Sequence, residues 1–450
     1  MIYQTLYKSV IYPVYHWALA DGANDAIRQL DRNESLDRDS LRLHSEGKLR
    51  ELLSFACRHV PYYRDLARNL GMTLEEFSNP ANLSTLPVLT KSTINANRDA
   101  MISEDLTGNG LDSNSTGGST GEVLKFYTDR RSGAFRKATV RRNKRWVGIQ
   151  PGDPEVRLWG APLDLGKSRS LRGIIHTAIT RERLLSADTL DEPTLKSYLE
   201  FCKSFRPKLM VAYPSALGEF ARYCEKRGKS IESLKAIICS AESLLGHDRE
   251  YIESTLGVTI YDRYGCREVG DIAQEAPGSS GLLVNSDRIH VEILDENGNP
   301  CAPGEQGEVI VTDLDNFGMP MIRYQIGDFA RLADEETEIA SRYPFPILAS
   351  VDGRTLDVVR CIGGQRIGGT YWTILLRTRP GMKRFQVVQE EPDTIRVLFE
   401  PEPNCAPDFD FVRHEVAKSC GPEMSVEFVE TSRFDHPRGT KFRMVISRIE

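Results

Sequence analysis

Apolar residues recur at helical spacing in EGKLRELLSFACRHV (46–60), and Pro61 closes that run. The first hundred residues read as largely helical. Between 208 and 265 the period changes repeatedly. KLMVAY (208–213) is a short continuous apolar run, predicting a buried strand, and SALGEFARYCEKRG (215–228) predicts a helix closed by Gly228. LKAIICS (234–240), HDREYIESTLG (247–257) and VTIYDRYG (258–265) continue the alternation as strand, helix and strand. Strands separated by helices of this length imply right-handed crossovers and a parallel sheet. Ligands of such sheets sit beyond the carboxyl ends of the strands, where Tyr213, Ser240 and Tyr264 fall. From 288 to 332 the text turns to β-hairpins: RIHVEIL, the turn DENGNP, GEVIVTDL and MIRYQIGDFARL. The last hundred residues read as a small α+β unit. It has LDVVRCIGGQRI, a helix from about 369, two strands around EEPD, a helix near 408–419 and a closing strand KFRMVIS. The fold class is therefore α/β, with parallel and mixed sheets flanked by helices, a β-hairpin region and a smaller second unit. The boundary is placed at 353–357, in GRTLD.

Composition narrows the class. Of 450 residues, 40% are hydrophobic and 27% charged, enough for a sizeable core and two or three folded units. A net charge of −6 supplies no general basic field for nucleic acid. Nine scattered cysteines, without a CxxC pair, argue against a disulfide framework or structural zinc site and for a reducing cytoplasm. No run is long and apolar enough to span a bilayer. The aromatic-rich start MIYQTLYKSVIYPVYHWALADGA is broken by Lys8, Pro13 and His16 and lacks the basic start and smooth apolar stretch of a signal peptide. It reads as a helix packed on the main unit in preference to an interfacial membrane helix, which leaves peripheral membrane contact as the alternative.

Candidate chemistry lies in five places. STGGSTG (115–121) combines glycines, whose backbone N–H groups can turn toward an anion, with hydroxyl donors, as a phosphate cradle does. Gly117-x-Ser119-x-Gly121 also fits the nucleophile elbow of a hydrolase. That elbow needs an apolar strand before it and a helix after it, whereas polar DSNST precedes and the strand VLKFYT follows. The Walker A pattern fails, because Gly160 precedes Gly166-Lys167-Ser168 by one residue too many. A plain flexible Ser/Gly loop is the remaining alternative. RYGCRE (263–268) offers Tyr264 for stacking and Glu268 as a hard oxygen ligand, or else a surface turn. In MIRYQIGD (321–328), Asp328 could accept from two vicinal hydroxyls or bond its own turn. Arg354 in GRTLD could hold a phosphate, and Lys441 in HPRGTKFR (436–443) follows a glycine and opens a strand; both are otherwise solvated cations.

Taken together, the order and spacing of STGGSTG, YGCRE, RYQIGD, GRTLD and a near-terminal GTK resemble the adenylate-forming superfamily. SFACRHVPYYRDL (54–66), AYPSAL (212–217), ICSAESL (238–244) and PGEQGEVIVTDL (303–314) resemble its phenylacetate-CoA ligase family, nearest the CapK-type proteins of capsular polysaccharide gene clusters. The resemblance implies an adenylation domain over 1–353, a hinge at 354–357 including Leu356 and Asp357, and a mobile lid over 358–450. It implies ATP phosphates on Ser115, Thr116, Gly117, Gly118, Ser119, Thr120 and Gly121. Ser240, Ala241, Glu242, Tyr264 and Gly265 would line the base, Asp328 the ribose hydroxyls, and Arg354 the nucleotide near the hinge. Glu268 would hold Mg²⁺, and Lys441 would bridge the acid's carboxylate and the α-phosphate. Trp159, Tyr213 and Pro214 are pocket candidates by position.

The implied reaction is activation of a small carboxylic acid as acyl-adenylate, with ATP and Mg²⁺, followed by transfer to CoA. A second reading passes the acyl group to an amine, a sugar or a carrier protein, or transfers AMP to a hydroxyl; a third is a non-catalytic nucleotide-binding scaffold. Three departures bear on these readings. Glu122 replaces a frequent Pro, Arg267 the usual Ser or Thr before Glu268, and Leu356 the acidic hinge residue. They make adenylation the firmer half of the implied chemistry, and leave the acid and oligomeric state, a homodimer included, open.

Overall fold

The computed structural model describes residues 6–11, 22–106, 110–115, 124–159, 179–187, 190–242, 246–334, 341–354, 358–362, 366–368, 381–402, 405–434 and 445–449, with isolated positions between. Helices lead the chain: α1 (Ala23–Asn33), α2 (Arg38–His59), α3 (Pro61–Asn69), α4 (Leu74–Ser78) and α5 (Lys91–Asn97). Helix α2 starts at Arg38, ahead of the predicted 46, because the Asp37 carboxylate caps it by accepting from the Ser40 amide at 2.7 Å. Pro61 ends α2, which its missing N–H cannot continue, and opens α3 at a position that needs no donor. At the N-terminus Tyr7 is buried against Gly152, where a Cβ would lie 2.7 Å from the Tyr7 ring. Leu6, Val10 and Val14 remain exposed, so only Tyr7 is seen to pack among these.

The strands are β1 (Leu111–Ser115), β2 (Lys125–Asp129), β3 (Glu155–Trp159), β4 (Glu182–Ser186), β5 (Leu209–Ala212), β6 (Ala236–Ser240), β7 (Ile260–Cys266), β8 (Gly270–Glu275), β9 (Leu282–Val284), β10 (Ile289–Leu294), β11 (Gln306–Asp313), β12 (Tyr324–Leu332) and β13 (Ile347–Arg354). In the C-terminal part they are β14 (Val358–Arg360), β15 (Arg366–Gly368), β16 (Met382–Glu391), β17 (Thr394–Pro401), β18 (Ser425–Glu430) and β19 (Val445–Ser447). The remaining helices treated below are α6 (Arg130–Trp146), α7 (Glu192–Phe205), α8 (Pro214–Lys226), α9 (Gly246–Leu256) and α10 (Phe409–Cys420).

One 11-stranded mixed sheet dominates, in the order β10-β11-β12-β13-β9-β8-β7-β6-β5-β3-β4. Strands β3 to β7 are parallel and β8 to β13 are antiparallel; the strand–helix alternation predicts β5, β6 and β7, whereas β3 and β4 are additions of the structure. The parallel half packs its apolar strands under α7, α8 and α9, around residues such as Met210, Ile237, Leu217 and Ile252. The antiparallel half packs against α2 and α3 through Leu49, Leu53, Ala56, Tyr63, Val309 and Val311.

The sheet is not flat. Four inter-strand steps separate β7 from β12, about 19 Å in a planar sheet, yet side chains of the two strands hydrogen-bond directly. The seam is where β9 and β13 share only two paired positions, Leu282↔Leu348 and Leu283↔Ile347. Gly281 permits the close approach there, since a Cβ would sit 2.4 Å from the Leu348 carbonyl oxygen.

Helix α6 crosses behind the sheet and carries eight Lys and Arg in 17 residues. They are largely consumed internally. Arg142 meets Asp287 bidentately at 2.7 and 2.9 Å, with both side chains buried, and Arg131 meets Asp315 at 3.3 Å. Lys144 meets Glu155 at 2.5 Å, and Arg145 binds Asp31 and Glu34. From α2, Lys48 adds a buried 2.8 Å pair to Asp315.

The C-terminal part has its own four-stranded sheet, β18-β17-β16-β19, with α10, and its own core of Val359, Trp372, Val387, Val397, Val412, Val416 and Val445 among others. The hairpin around EEPD and the helix follow the prediction; of the expected closing strand KFRMVIS, Val445–Ser447 forms β19 and 441–444 lie outside the described residues. Strand β18, paired parallel to β17, was not predicted. The helix expected from about 369 lies mostly outside the described residues.

Candidate active site

The glycine-rich segment lies in sequence between two strands. Its flanks, β1 and β2, pair antiparallel with Ser115 opposite Lys125, so a strand both precedes and follows it, unlike a nucleophile elbow. Thr116, Gly117, Gly118, Ser119, Thr120 and Gly121 lie outside the described residues. The root of the hairpin is held by a two-way clamp. The buried Asp129 carboxylate accepts from the amides of Ser132 (2.7 Å), Phe317 (2.7 Å) and Gly318 (2.8 Å), capping α6 and binding the loop after β11. In return, the Asn316 side chain donates to the Tyr127 carbonyl at 3.0 Å and accepts the Asp129 amide at 3.4 Å. Burial pushes the Asp129 carboxyl above the usual range despite its three amide donors.

The carboxyl ends of the parallel strands carry several of the sequence candidates. Trp159, ending β3, stacks on Tyr213, just beyond β5, with ring centroids 4.2 Å apart at 27°. Pro214 opens α8. Ser240, ending β6, donates to the Arg263 carbonyl of β7 at 2.8 Å. Ala241 then adopts φ 73°, a left-handed conformation that costs a side-chain-bearing residue energy and turns the chain sharply at the strand end. Glu242 accepts from the Ser215 amide at 3.1 Å and so caps α8, whose N-cap residue Tyr213 makes no side-chain capping bond.

Beyond β7 the geometry becomes reciprocal. The Tyr264 hydroxyl donates to Asp328 Oδ2 at 3.0 Å, and the Tyr324 hydroxyl donates to Glu268 Oε1 at 3.0 Å. All four side chains are buried, with Glu268 6% and Asp328 8% exposed. Gly265 lets β7 and β8 approach closely at their bulge, because a Cβ there would lie 2.5 Å from the Gly270 carbonyl oxygen. Arg136 of α6 binds the carbonyls of Arg267 (3.0 Å) and Glu268, and Arg288 binds that of Val269. Burial and the neighbouring Glu268 hold the Tyr324 phenol far above its usual range, so it remains a donor. Burial likewise raises the Cys266 thiol, which is no nucleophile at neutral pH.

The structure thus brings together Tyr264, Gly265, Glu268 and Asp328, with Ser240 on the adjacent strand. In the β12–β13 register Arg354 stands opposite Asp328. Leu356, Asp357 and Lys441 lie outside the described residues. Tyr324, Arg136, Asp129 and Asn316 were not picked out by the motifs, although Tyr324 lies inside RYQIGD. Among the described residues no three His, Cys, Asp or Glu side chains converge on a metal position. Glu268 is one hard oxygen donor, which fits a Mg²⁺ that takes its other ligands from phosphates and water.

No family model matches the chain. Among solved structures, 2-hydroxyisobutyryl-CoA ligase in the postadenylation state, in complex with R3-HIB-AMP, superposes with a TM-score of 0.72 at 19% identity, over 93% of this chain and 91% of that one. The same ligase in its thioesterification state with 2-HIB-AMP and CoA gives 0.61 at 20% identity, over 93% and 91%. This is the fold of the adenylate-forming CoA ligases. In sequence, the chain is similar to phenylacetate-coenzyme A ligase of Pseudomonas putida, 25% identical over 75% of this chain and 76% of that protein. The Thermus thermophilus ligase of the same name is 25% identical over 80% and 81%. Protein CapK of Staphylococcus aureus is 24% identical over 64% and 62%. No described helix of this ligase-fold chain is long and apolar enough to cross a membrane.

Proposed function

We propose that the protein activates a carboxylic acid with ATP, forming an acyl-adenylate and pyrophosphate, and then passes the acyl group to CoA. The observation that carries this reading is two buried carboxylates, Glu268 just past β7 and Asp328 on β12, each held by a tyrosine of the other strand. One would face a magnesium-bound triphosphate and the other a ribose. The sequence adds a glycine-rich stretch between paired strands, and the named relatives are acid–CoA ligases.

In this reading the acid's carboxylate oxygen attacks the α-phosphorus, the bond to the bridging β-phosphate oxygen breaks, and pyrophosphate leaves. Two anions must approach each other. Bound Mg²⁺, held by Glu268, would neutralise phosphate charge. Lys441 would sit between carboxylate and α-phosphate and stabilise the charge that builds there. Ser115 and the loop after it would hold the terminal phosphates, Asp328 the ribose hydroxyls, Arg354 the nucleotide near the hinge, and Ser240, Ala241 and Tyr264 the base side. The stacked Trp159–Tyr213 pair would wall the acid pocket. We assign residues 1–353 to the adenylation unit, 354–357 to a hinge and 358–450 to a lid. The separate core of the last part supports that division.

Leu356 at the hinge favours keeping a second acceptor in view: an amine, a sugar or a carrier protein in place of CoA. The deciding experiment is a pyrophosphate-release screen over carboxylic acids, with and without CoA. Acid-dependent pyrophosphate and AMP release that rises with CoA supports the first reading. Acid-dependent release indifferent to CoA moves the acceptor elsewhere, and pyrophosphate release without free AMP indicates nucleotidyl transfer. No release with any acid rejects adenylation.

A further inference from the structure

Two tyrosines on strands four steps apart exchange hydroxyls for each other's carboxylates: β7 supplies Tyr264 and, just past its end, Glu268, while β12 supplies Tyr324 and Asp328. We propose that Tyr264 and Tyr324 are positioning residues, a reciprocal brace that fixes the nucleotide-facing carboxylate and the cation-facing carboxylate against each other; this rests on the adenylation reading.

Packing alone does not account for the pair. The Tyr324 ring is fully buried in the main core, where a phenylalanine would fill the same space without a polar atom to satisfy. Each hydroxyl is spent on a carboxylate, the strongest acceptor available, and each takes one oxygen and so fixes the carboxylate's rotation. The arrangement is anchored from behind. Arg136 and Arg288, from α6 and the turn before β10, hold three successive carbonyls, Arg267, Glu268 and Val269. Backbone and side chain of Glu268 are therefore set by three separate segments. Because each strand contributes one donor and one acceptor, a slip of either strand breaks both bonds together.

The test uses the full chain with Tyr324→Phe and Tyr264→Phe, which keep the rings. AMP binding in EDTA is measured by calorimetry, and Mn²⁺ binding in the presence of ATP by electron paramagnetic resonance. Tyr264→Phe is expected to weaken AMP binding about tenfold, the cost of one hydrogen bond to a charged group. Tyr324→Phe is expected to weaken Mn²⁺ binding about tenfold while leaving AMP binding in EDTA unchanged, and to raise KM for the metal–ATP complex more than it lowers kcat. Wild-type binding of both probes in both variants overturns the brace. A wild-type chain that binds neither AMP nor Mn²⁺ with ATP fails the adenylation reading instead. Should Tyr324→Phe not fold, Tyr264→Phe decides: weaker AMP binding supports the brace and unchanged binding rejects it.

Discussion

Replacing Asp129 tests whether the glycine-rich hairpin is positioned from its root. The carboxylate satisfies three buried amides, those of Ser132, Phe317 and Gly318, at 2.7–2.8 Å. Leaving a buried donor unsatisfied costs about 1–3 kcal/mol each, so Asp129→Ala has a gross cost of roughly 3–9 kcal/mol. Part of that is offset, because the wild type buries a carboxyl whose pKa is raised by desolvation. A net loss of about 2–4 kcal/mol is the reasonable expectation. Asp129→Asn is the sharper variant. It can keep an oxygen toward Ser132 but turns an NH₂ group at the Phe317 and Gly318 amides, placing donors against donors. Urea unfolding should show about 2 kcal/mol or more of lost stability for the Asn variant, and calorimetry about tenfold weaker ATP binding. An Asn variant within about 0.5 kcal/mol of wild type, with unchanged ATP affinity, would refute the clamp.

Lys441→Ala should lower acid-dependent pyrophosphate exchange about a hundredfold to a thousandfold without moving the melting temperature; wild-type exchange would remove its assigned role. Asp262 offers a pH test. Burial, with Glu275 adding to it, pushes its carboxyl up to about 7 against the pull of Arg249. A raised folded pKa means its contribution is fully present below the ordinary aspartate pKa and is lost as pH rises through about 7. Asp262→Asn should therefore flatten the decline in stability between acidic and neutral pH, by at most about 4 kcal/mol; parallel profiles for both proteins would contradict this. Arg142→Met strips Asp287 of its bidentate partner and should cost about 3–5 kcal/mol, while Arg142→Met with Asp287→Leu should recover most of it. A double variant as unstable as the single one, in the same urea melt, would show that the ion pair is not the cause.

Strands β5, β6 and β7 were legible because they lie in apolar stretches fenced by helices with clear ends such as Gly228 and Gly257, whereas β3 and β4, EVRLW and ERLLS, carry charges within the strand and were not. Strand β1 was not, since LDSNS is mostly polar, with Asp112 and Ser113 exposed, and owes its conformation to pairing with β2. Strand β18 did carry alternation in SVEFVE, with Val426 buried, but its parallel place beside β17 depends on a helix crossover. Within the site, the motifs exposed Tyr264, Glu268 and Asp328 because local glycines and turns mark them. What joins them was hidden. Tyr324 reaches Glu268 across 56 residues and Arg136 reaches the Glu268 loop across more than twice that, and both contacts exist only once the sheet folds over. No periodicity in a single strand encodes that fold.

The basic helix α6 has a consequence for synthesis. Its permanent counter-charges Asp287, Asp313 and Asp315 are translated more than a hundred residues after it. A nascent chain that has emerged only through β6 therefore leaves Arg131, Arg136 and Arg142 without those partners, while Lys144 and Arg145 can already meet Glu155, Asp31 and Glu34, and these arginines can cling to ribosomal or messenger RNA. The finished protein, with net charge −6, would show none of that stickiness. Ribosome-bound intermediates truncated before 287 should thus be released by salt far more readily than by detergent.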